Sequence, residues 1–91
     1  QQFDFAFTAN TYHHIDDRVP YFNKVMKGLK VGGKVVIVDF KNHKSNHGPP
    51  LWMRVSSKQV FHELKRAGFK KIIVKENLLE RQYVVIGLKT P

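Results

Sequence analysis

Apolar residues recur along this chain with two different periods. Phe3-Asp-Phe-Ala-Phe-Thr8 is dense in aromatics and predicts a strand. Phe22, Val25, Met26 and Leu29 then fall at i, i+3, i+4 and i+7, the single stripe of an amphipathic helix. Asp16 or Asp17 is placed to cap that helix, Pro20 sits where a first turn tolerates proline, and Gly32-Gly33 is expected to end it. Lys34 to Phe40 is apolar at consecutive positions, which predicts a strand buried on both faces, as in a parallel sheet. Residues 41–55 read as loop, broken at Gly48-Pro49-Pro50. Ser56 with Gln59 three positions on makes a capping box, opening a helix that turns Val60, Phe61, Leu64 and Ala67 inward and closes at Gly68. Lys71–Lys75 and Gln82–Leu88 read as two more strands.

The order is therefore strand–helix–strand–helix–strand–strand. Alternation of strands with helices implies parallel pairing through right-handed crossovers. The link between the last two strands is too short for a crossover, so the final strand should run antiparallel. The expected class is α/β, a partial Rossmann-like sheet in one domain over residues 1–91.

Composition narrows the chemistry. With no cysteine, disulfides, zinc–thiolate sites and cysteine nucleophiles are excluded. The longest aliphatic run, Val35-Val-Ile-Val38, is too short to span a bilayer, and no secretory signal pattern is present, so a cytoplasmic protein is expected. The formal charge of +9 raises a non-catalytic basic module, binding nucleic acid or a protein partner, as the alternative function. The lysines are dispersed along the chain rather than gathered in one block, which favours a solvated surface.

The order and the local sequences together resemble the C-terminal half of a class I S-adenosylmethionine-dependent methyltransferase, closest to the small-molecule, ubiquinone/menaquinone-biosynthesis-like group. Phe3-Asp-Phe-Ala-Phe followed by Tyr12-His-His-Ile looks like the family's fourth strand and the turn after it. Leu29-Lys-Val-Gly-Gly-Lys-Val-Val-Ile-Val-Asp looks like its helix end, Gly-Gly turn and fifth strand, with Val31 where the family usually has proline. Leu64-Lys-Arg-Ala-Gly-Phe69 and the two strands beyond look like its last helix and reversed terminal strand. The family's glycine-rich cofactor loop and its ribose-holding acid precede these segments and are expected to be absent from the chain. Gly32-Gly33 is no substitute, because it precedes a strand, whereas such a loop follows one. The resemblance implies methyl transfer to a small-molecule acceptor by the complete protein, and weak or absent cofactor binding and activity for this piece.

In open α/β sheets, ligands bind beyond the carboxyl ends of the strands. The resemblance accordingly points to Ala9, Asn10 and Thr11 for the cofactor and His14 for the reacting centre, and to Arg54, on the loop that overlies the substrate in relatives, as a substrate contact; Asp39, by its place at the site's edge, is either a substrate contact or a loop cap. His13 and His14 are neighbours; on an extended segment they would point opposite ways, and with no third ligand nearby no metal site is expected. Asp16 and Asp17 read as a helix cap rather than an acid–base pair. The loop from Lys41 to Arg54, with His43, His47 and Trp52, is a candidate lid or a plain surface loop. Phe3, Phe5, Phe7 and Phe22 are expected in the core. The strand at 3–8 should have an unpaired edge, and strand-to-strand pairing into a homodimer is expected there.

Overall fold

A computed structural model describes residues 2–42 and 48–91; His43 and His47 lie outside the described residues. Strand β1 (Phe3–Ala9) leads through a 3-10 turn (Tyr12–His14) to helix α1 (Arg18–Gly28). Strand β2 (Leu29–Phe40) follows directly. A second 3-10 turn (Leu51–Met53), helix α2 (Ser57–Ala67) and strands β3 (Lys71–Lys75) and β4 (Gln82–Leu88) complete the chain. The strands form one sheet in the order β1-β2-β4-β3. β1 and β2 are parallel, with Ala6 beside Val35 and Thr8 beside Ile37. β4 enters between β2 and β3 and is antiparallel to both. The reversed last strand is as the short 76–81 link required.

Both crossovers step the same way across the sheet, from β1 to β2 and on to β3. Connections of one hand therefore lay both helices on one side, where α1 and α2 pack on each other. Asn23 Nδ2 donates to the Ala67 carbonyl at 2.9 Å across that contact. The core lies beneath them: Phe22, Leu29, Val35, Ile37, Val60, Leu64, Phe69 and Val85 are all buried. α2 starts as its sequence demands, with Ser56 Oγ accepting from the Gln59 amide at 3.1 Å. It ends at Gly68, whose φ of 115° suits a residue without a Cβ.

Four expectations are corrected. β2 is not buried on both faces. Val35, Ile37 and Asp39 are buried under the helices, whereas Val36, Val38 and Phe40 on the other side are half-buried. For the same reason Phe5 and Phe7 are not core: they register with Lys34 and Val36 on the side with no helix and are 50% and 59% exposed. Phe3 is exposed as well, and Phe22 alone of the four is a core residue. Gly32-Gly33 does not end α1, which stops at Gly28. The pair lies inside β2, where the register jumps from Phe3–Leu29 to Phe5–Lys34. Gly32, at φ 88°, donates its amide to the Lys89 carbonyl, and the Lys89 amide donates to the Gly33 carbonyl, both at 2.9 Å. The glycines thus form an irregularity bridged by the end of the chain. Finally, Asp17 occupies the N-cap of α1 in a left-handed conformation (φ 49°), and its side chain makes no capping hydrogen bond. Its carbonyl accepts from the Tyr21 amide instead.

Candidate functional site at the carboxyl ends of β1 and β2

β1 and β2 end side by side, and their last residues meet the 3-10 turn that follows β1. Asn10 turns the chain out of the sheet with φ 61°, a left-handed conformation that asparagine tolerates better than most residues. Its amide still donates to the Val38 carbonyl at 2.8 Å, and its Oδ1 accepts from Gln82 Nε2 at 2.5 Å. Thr11 Oγ1 and Thr8 Oγ1 share a hydrogen bond of 2.7 Å. Ala9 and Thr11 line an apolar groove of about 350 Å³ that runs along β1 beside Tyr21, Phe22 and Val25. The three residues expected at the cofactor are therefore contiguous, but Asn10 turns toward β4, away from that groove.

Asp39 is the penultimate residue of β2 and is 3% exposed. Its Oδ2 accepts from the Tyr12 amide at 3.2 Å and its Oδ1 from the Phe40 amide at 2.8 Å. The carboxylate thus anchors the first residue of the 3-10 turn. His13 Nδ1 lies 3.8 Å from the same Oδ2; the imidazole is 7% exposed and Nδ1 has no hydrogen-bond partner. A bare lone pair on Nδ1 would face a carboxylate, so the favourable neutral tautomer carries its proton there and leaves Nε2 free to accept. This Asp–His–acceptor logic is the one used to orient a general base. The two histidines are not on an extended segment: the turn brings their rings to 4.0 Å. It is His13 that faces Asp39, while His14 is exposed.

A second polar cluster holds the turn from behind. Tyr12 Oη donates to Glu63 Oε1 at 2.6 Å, and Arg18 donates to both Glu63 oxygens, from Nε at 2.7 Å and from Nη2 at 3.1 Å. Gln59 Nε2 adds a bond to Oε2 at 3.1 Å, and the Arg18 guanidinium lies 5.0 Å from the centre of the Tyr12 ring. Burial pushes the Glu63 carboxyl upward, but hydrogen bonds from Arg18, Tyr12 and Gln59 outweigh it and hold it below its ordinary value. Burial, then the bond to Glu63, raises the Tyr12 phenol. Tyr83, beside Asp39, is also raised, first by burial and then by that negative charge; its Oη donates to the Val55 carbonyl at 2.7 Å.

Arg54 is engaged with its own loop: Nε donates to the Pro49 carbonyl at 2.9 Å, Nη1 to the Lys41 carbonyl at 3.1 Å, and the guanidinium lies 5.4 Å from the Phe40 ring centre. It clasps the two ends of the segment that follows β2. Sequence reasoning missed Glu63, Arg18 and Gln82. Apart from the Gln59–Glu63 bond within α2, their side-chain hydrogen bonds join residues 45 to 72 positions apart, and no local spacing reports such contacts. Among the described residues, no three His, Asp or Glu side chains gather as a metal set.

No protein-family model matches the chain. It is 28% identical over 82 residues to phosphoethanolamine N-methyltransferase 3 of Arabidopsis thaliana, across 81% of this chain and 17% of that one. A solved structure from Sulfolobus solfataricus, assigned as a type 11 methyltransferase, superposes with TM-score 0.76 at 26% identity. It is matched over 97% of this chain and 50% of its own. By fold and sequence the chain is related to the class I S-adenosylmethionine-dependent methyltransferases. A SAM-dependent methyltransferase from Aquifex aeolicus agrees in fold, with TM-score 0.78 at 24% identity over 96% of this chain and 46% of that one. The chain thus spans about half the length of these methyltransferase structures, and far less of the plant relative. Among the described residues, no helix is long and apolar enough to cross a membrane.

Proposed function

We propose that the complete protein transfers a methyl group from S-adenosylmethionine to a small-molecule acceptor that gives up a proton in the step. The reading rests on one observation: a buried carboxylate, Asp39, faces an otherwise unpartnered imidazole nitrogen of His13 at the carboxyl ends of two parallel strands. Ala9 and Thr11, which line the groove, would hold the cofactor there, while Asn10, engaged by Gln82, would set the turn between them. When bound, S-adenosylmethionine supplies an electrophilic methyl group that needs no further activation.

The chain's own residues then have two tasks. Asp39, 3.8 Å from Nδ1, favours the tautomer that leaves Nε2 bare and stabilises the ring once charged, so that Nε2 can take the acceptor's proton as its lone pair is committed to the new bond. The turn itself is kept rigid by the Asp39 carboxylate in front and the Tyr12–Glu63–Arg18 cluster behind, which preserves orientation, a large contribution to such transfers. His14 is exposed next to His13 and available to the acceptor. Asp39 serves through His13, and Arg54 serves by shaping the loop on the acceptor's side. A cytoplasmic setting belongs to the same reading, on the sequence grounds given above.

The chain itself is expected to bind the cofactor weakly, because the glycine-rich loop and ribose acid that the resemblance calls for are not among its motifs. Titration with S-adenosylhomocysteine, followed by amide chemical shifts, tests this. Movements confined to Ala9, Asn10, Thr11 and the following turn, at roughly millimolar ligand, are expected. Shifts elsewhere, or none, would count against these three residues, and micromolar affinity would overturn the expectation of weak binding.

A further inference from the structure

The carboxyl ends of the strands hold one contact that the proposed chemistry does not use. Asn10 Oδ1 accepts from Gln82 Nε2 at 2.5 Å, joining the residue after β1 to the first residue of β4. Those two strands are not neighbours, because β2 lies between them. Adjacent strands sit about 4.8 Å apart, so the two side chains together bridge about 10 Å across the end of β2. β2 is paired on both of its edges within this chain, and the strand end beneath the bridge is therefore complete. The main chain at each end is tied down as well. The Asn10 amide donates to the Val38 carbonyl at 2.8 Å, and the Lys41 amide to the Arg81 carbonyl at 2.9 Å.

A carboxamide carries an acceptor oxygen and a donor nitrogen, and two carboxamides can share two hydrogen bonds. Asn10 and Gln82 share one. Asn10 Nδ2 and Gln82 Oε1 have no partner among the described residues, so the exposed bridge keeps one donor and one acceptor unused. Turning both side chains over exchanges oxygen and nitrogen on each and leaves the same inventory. Neither group is charged. Of the flanking basic residues, Arg81 is exposed with Nη2 3.9 Å from Glu80 Oε1, and Lys41 follows Phe40, the register partner of Gln82. Salt screens charges at such positions but does not act on a neutral pair.

The bridge also lies apart from the groove that Ala9 and Thr11 line. Asn10 reaches the other way, over β2. Tyr83, the residue after Gln82, is in register with Asp39, whose carboxylate faces His13. A molecule seated on the bridge therefore sits next to the His13–Asp39 pair. We propose that Asn10 and Gln82 form a binding site for the methyl acceptor, recognising a neutral group that accepts one hydrogen bond and donates another, as a carboxamide does. That the bound molecule is the acceptor rests on the methyl-transfer reading; the two-amide site and the class of group it takes do not.

Titration of the chain with benzamide, followed on the side-chain amide resonances of Asn10 and Gln82, tests the site. Both should move, with half-saturation at roughly 10–50 mM, the range open to so small a ligand. Acetophenone accepts but cannot donate, and benzoate is charged; each should bind about three- to tenfold more weakly, the worth of one hydrogen bond. Raising salt to about 0.3 M should leave the benzamide response unaltered. Asn10→Asp keeps the oxygen that Gln82 needs and tolerates the positive φ, but exchanges the free donor for a second acceptor. Its preference should pass from benzamide to benzylammonium. Gln82→Ala should abolish the response of the Asn10 side chain while the backbone amides of Ile37 and Val85 stay in place. Side-chain amides that ignore benzamide, acetophenone or benzoate binding as well as benzamide, or an Asn10→Asp chain of unchanged preference would each overturn the proposal. So would S-adenosylhomocysteine moving these side-chain amides as benzamide does, since the bridge would then belong to the cofactor. A benzamide response in a chain indifferent to S-adenosylhomocysteine sustains the site and counts against the methyl-transfer reading instead.

Discussion

Two sides of the same sheet carry nearly the same residues and meet different fates. On one, Val35, Ile37 and Val85 are sealed under α1 and α2. On the other, Phe5, Phe7, Val36, Val38 and Ile86 are half-buried or exposed, although they are no less apolar. Apolar character therefore does not separate the two. The separation comes from topology: two crossovers of one hand, stepping in one direction, leave one side without a helix. A strand's hydrophobicity shows that it belongs in a sheet, but not how many layers cover it.

The sharpest way to break that comparison is to truncate neighbours on the same strand. Ile37→Ala, on the covered side, should cost about 2–5 kcal/mol in urea denaturation. Val38→Ala, one residue on and facing the open side, should cost about 1 kcal/mol or less. Equal losses would mean that the open side is in fact covered in solution.

The polar cluster behind the turn belongs to the covered side and comes next in size. Glu63→Ala should cost about 1–3 kcal/mol, because it strips partners from the Arg18 guanidinium and the buried Tyr12 hydroxyl together. Glu63→Gln sharpens the point through pH. The Glu63 carboxyl is held below its ordinary value in the fold, so the unfolded chain binds its proton more readily. Its contribution is then full above the unfolded value and disappears as pH falls through the folded one. The wild type should lose stability on acidification more steeply than Glu63→Gln; identical acid limbs would contradict the cluster.

A smaller effect lies at the alkaline end. Tyr12 and Tyr83 are raised by burial, so the folded chain keeps both phenolic protons. Their contribution is complete below the ordinary tyrosine value of about 10 and declines above it. Thermal melts should therefore fall with rising pH in that range, and Tyr83→Phe should reduce the fall. The smallest effect is expected at Phe7→Thr, on the open side, which should change the stability of dilute monomer by no more than about 0.5 kcal/mol.

How much of this was legible in the sequence follows the range of each interaction. The stripe of Phe22, Val25 and Met26, the Ser56 cap and the Gly68 stop are local signals and hold, but Leu29, read as the fourth member of the stripe, lies beyond the helix as the first residue of β2. Gly32-Gly33 misled because a helix stop and a strand irregularity use the same backbone freedom of glycine. Asp16-Asp17 misled because a backbone carbonyl can close a first turn without help from a side chain. The aromatics of β1 misled because burial depends on which layers surround a strand. At the candidate site, Ala9 to His14 and Asp39 could be placed by the strand-end rule alone. That His13 rather than His14 faces Asp39 depends on the 3-10 turn, and Glu63 came into view only with the packing of α2.

The pairing of His13 with Asp39 is the claim on which the proposed chemistry depends, and a long-range proton–nitrogen spectrum of the imidazoles at neutral pH tests it most directly. The neutral ring of His13 should carry its proton on Nδ1, toward Asp39, with Nε2 bare, and Asp39→Asn should abolish that preference while leaving the exposed His14 unchanged. A His13 ring protonated on Nε2 alone, or one indifferent to Asp39→Asn, would contradict the account.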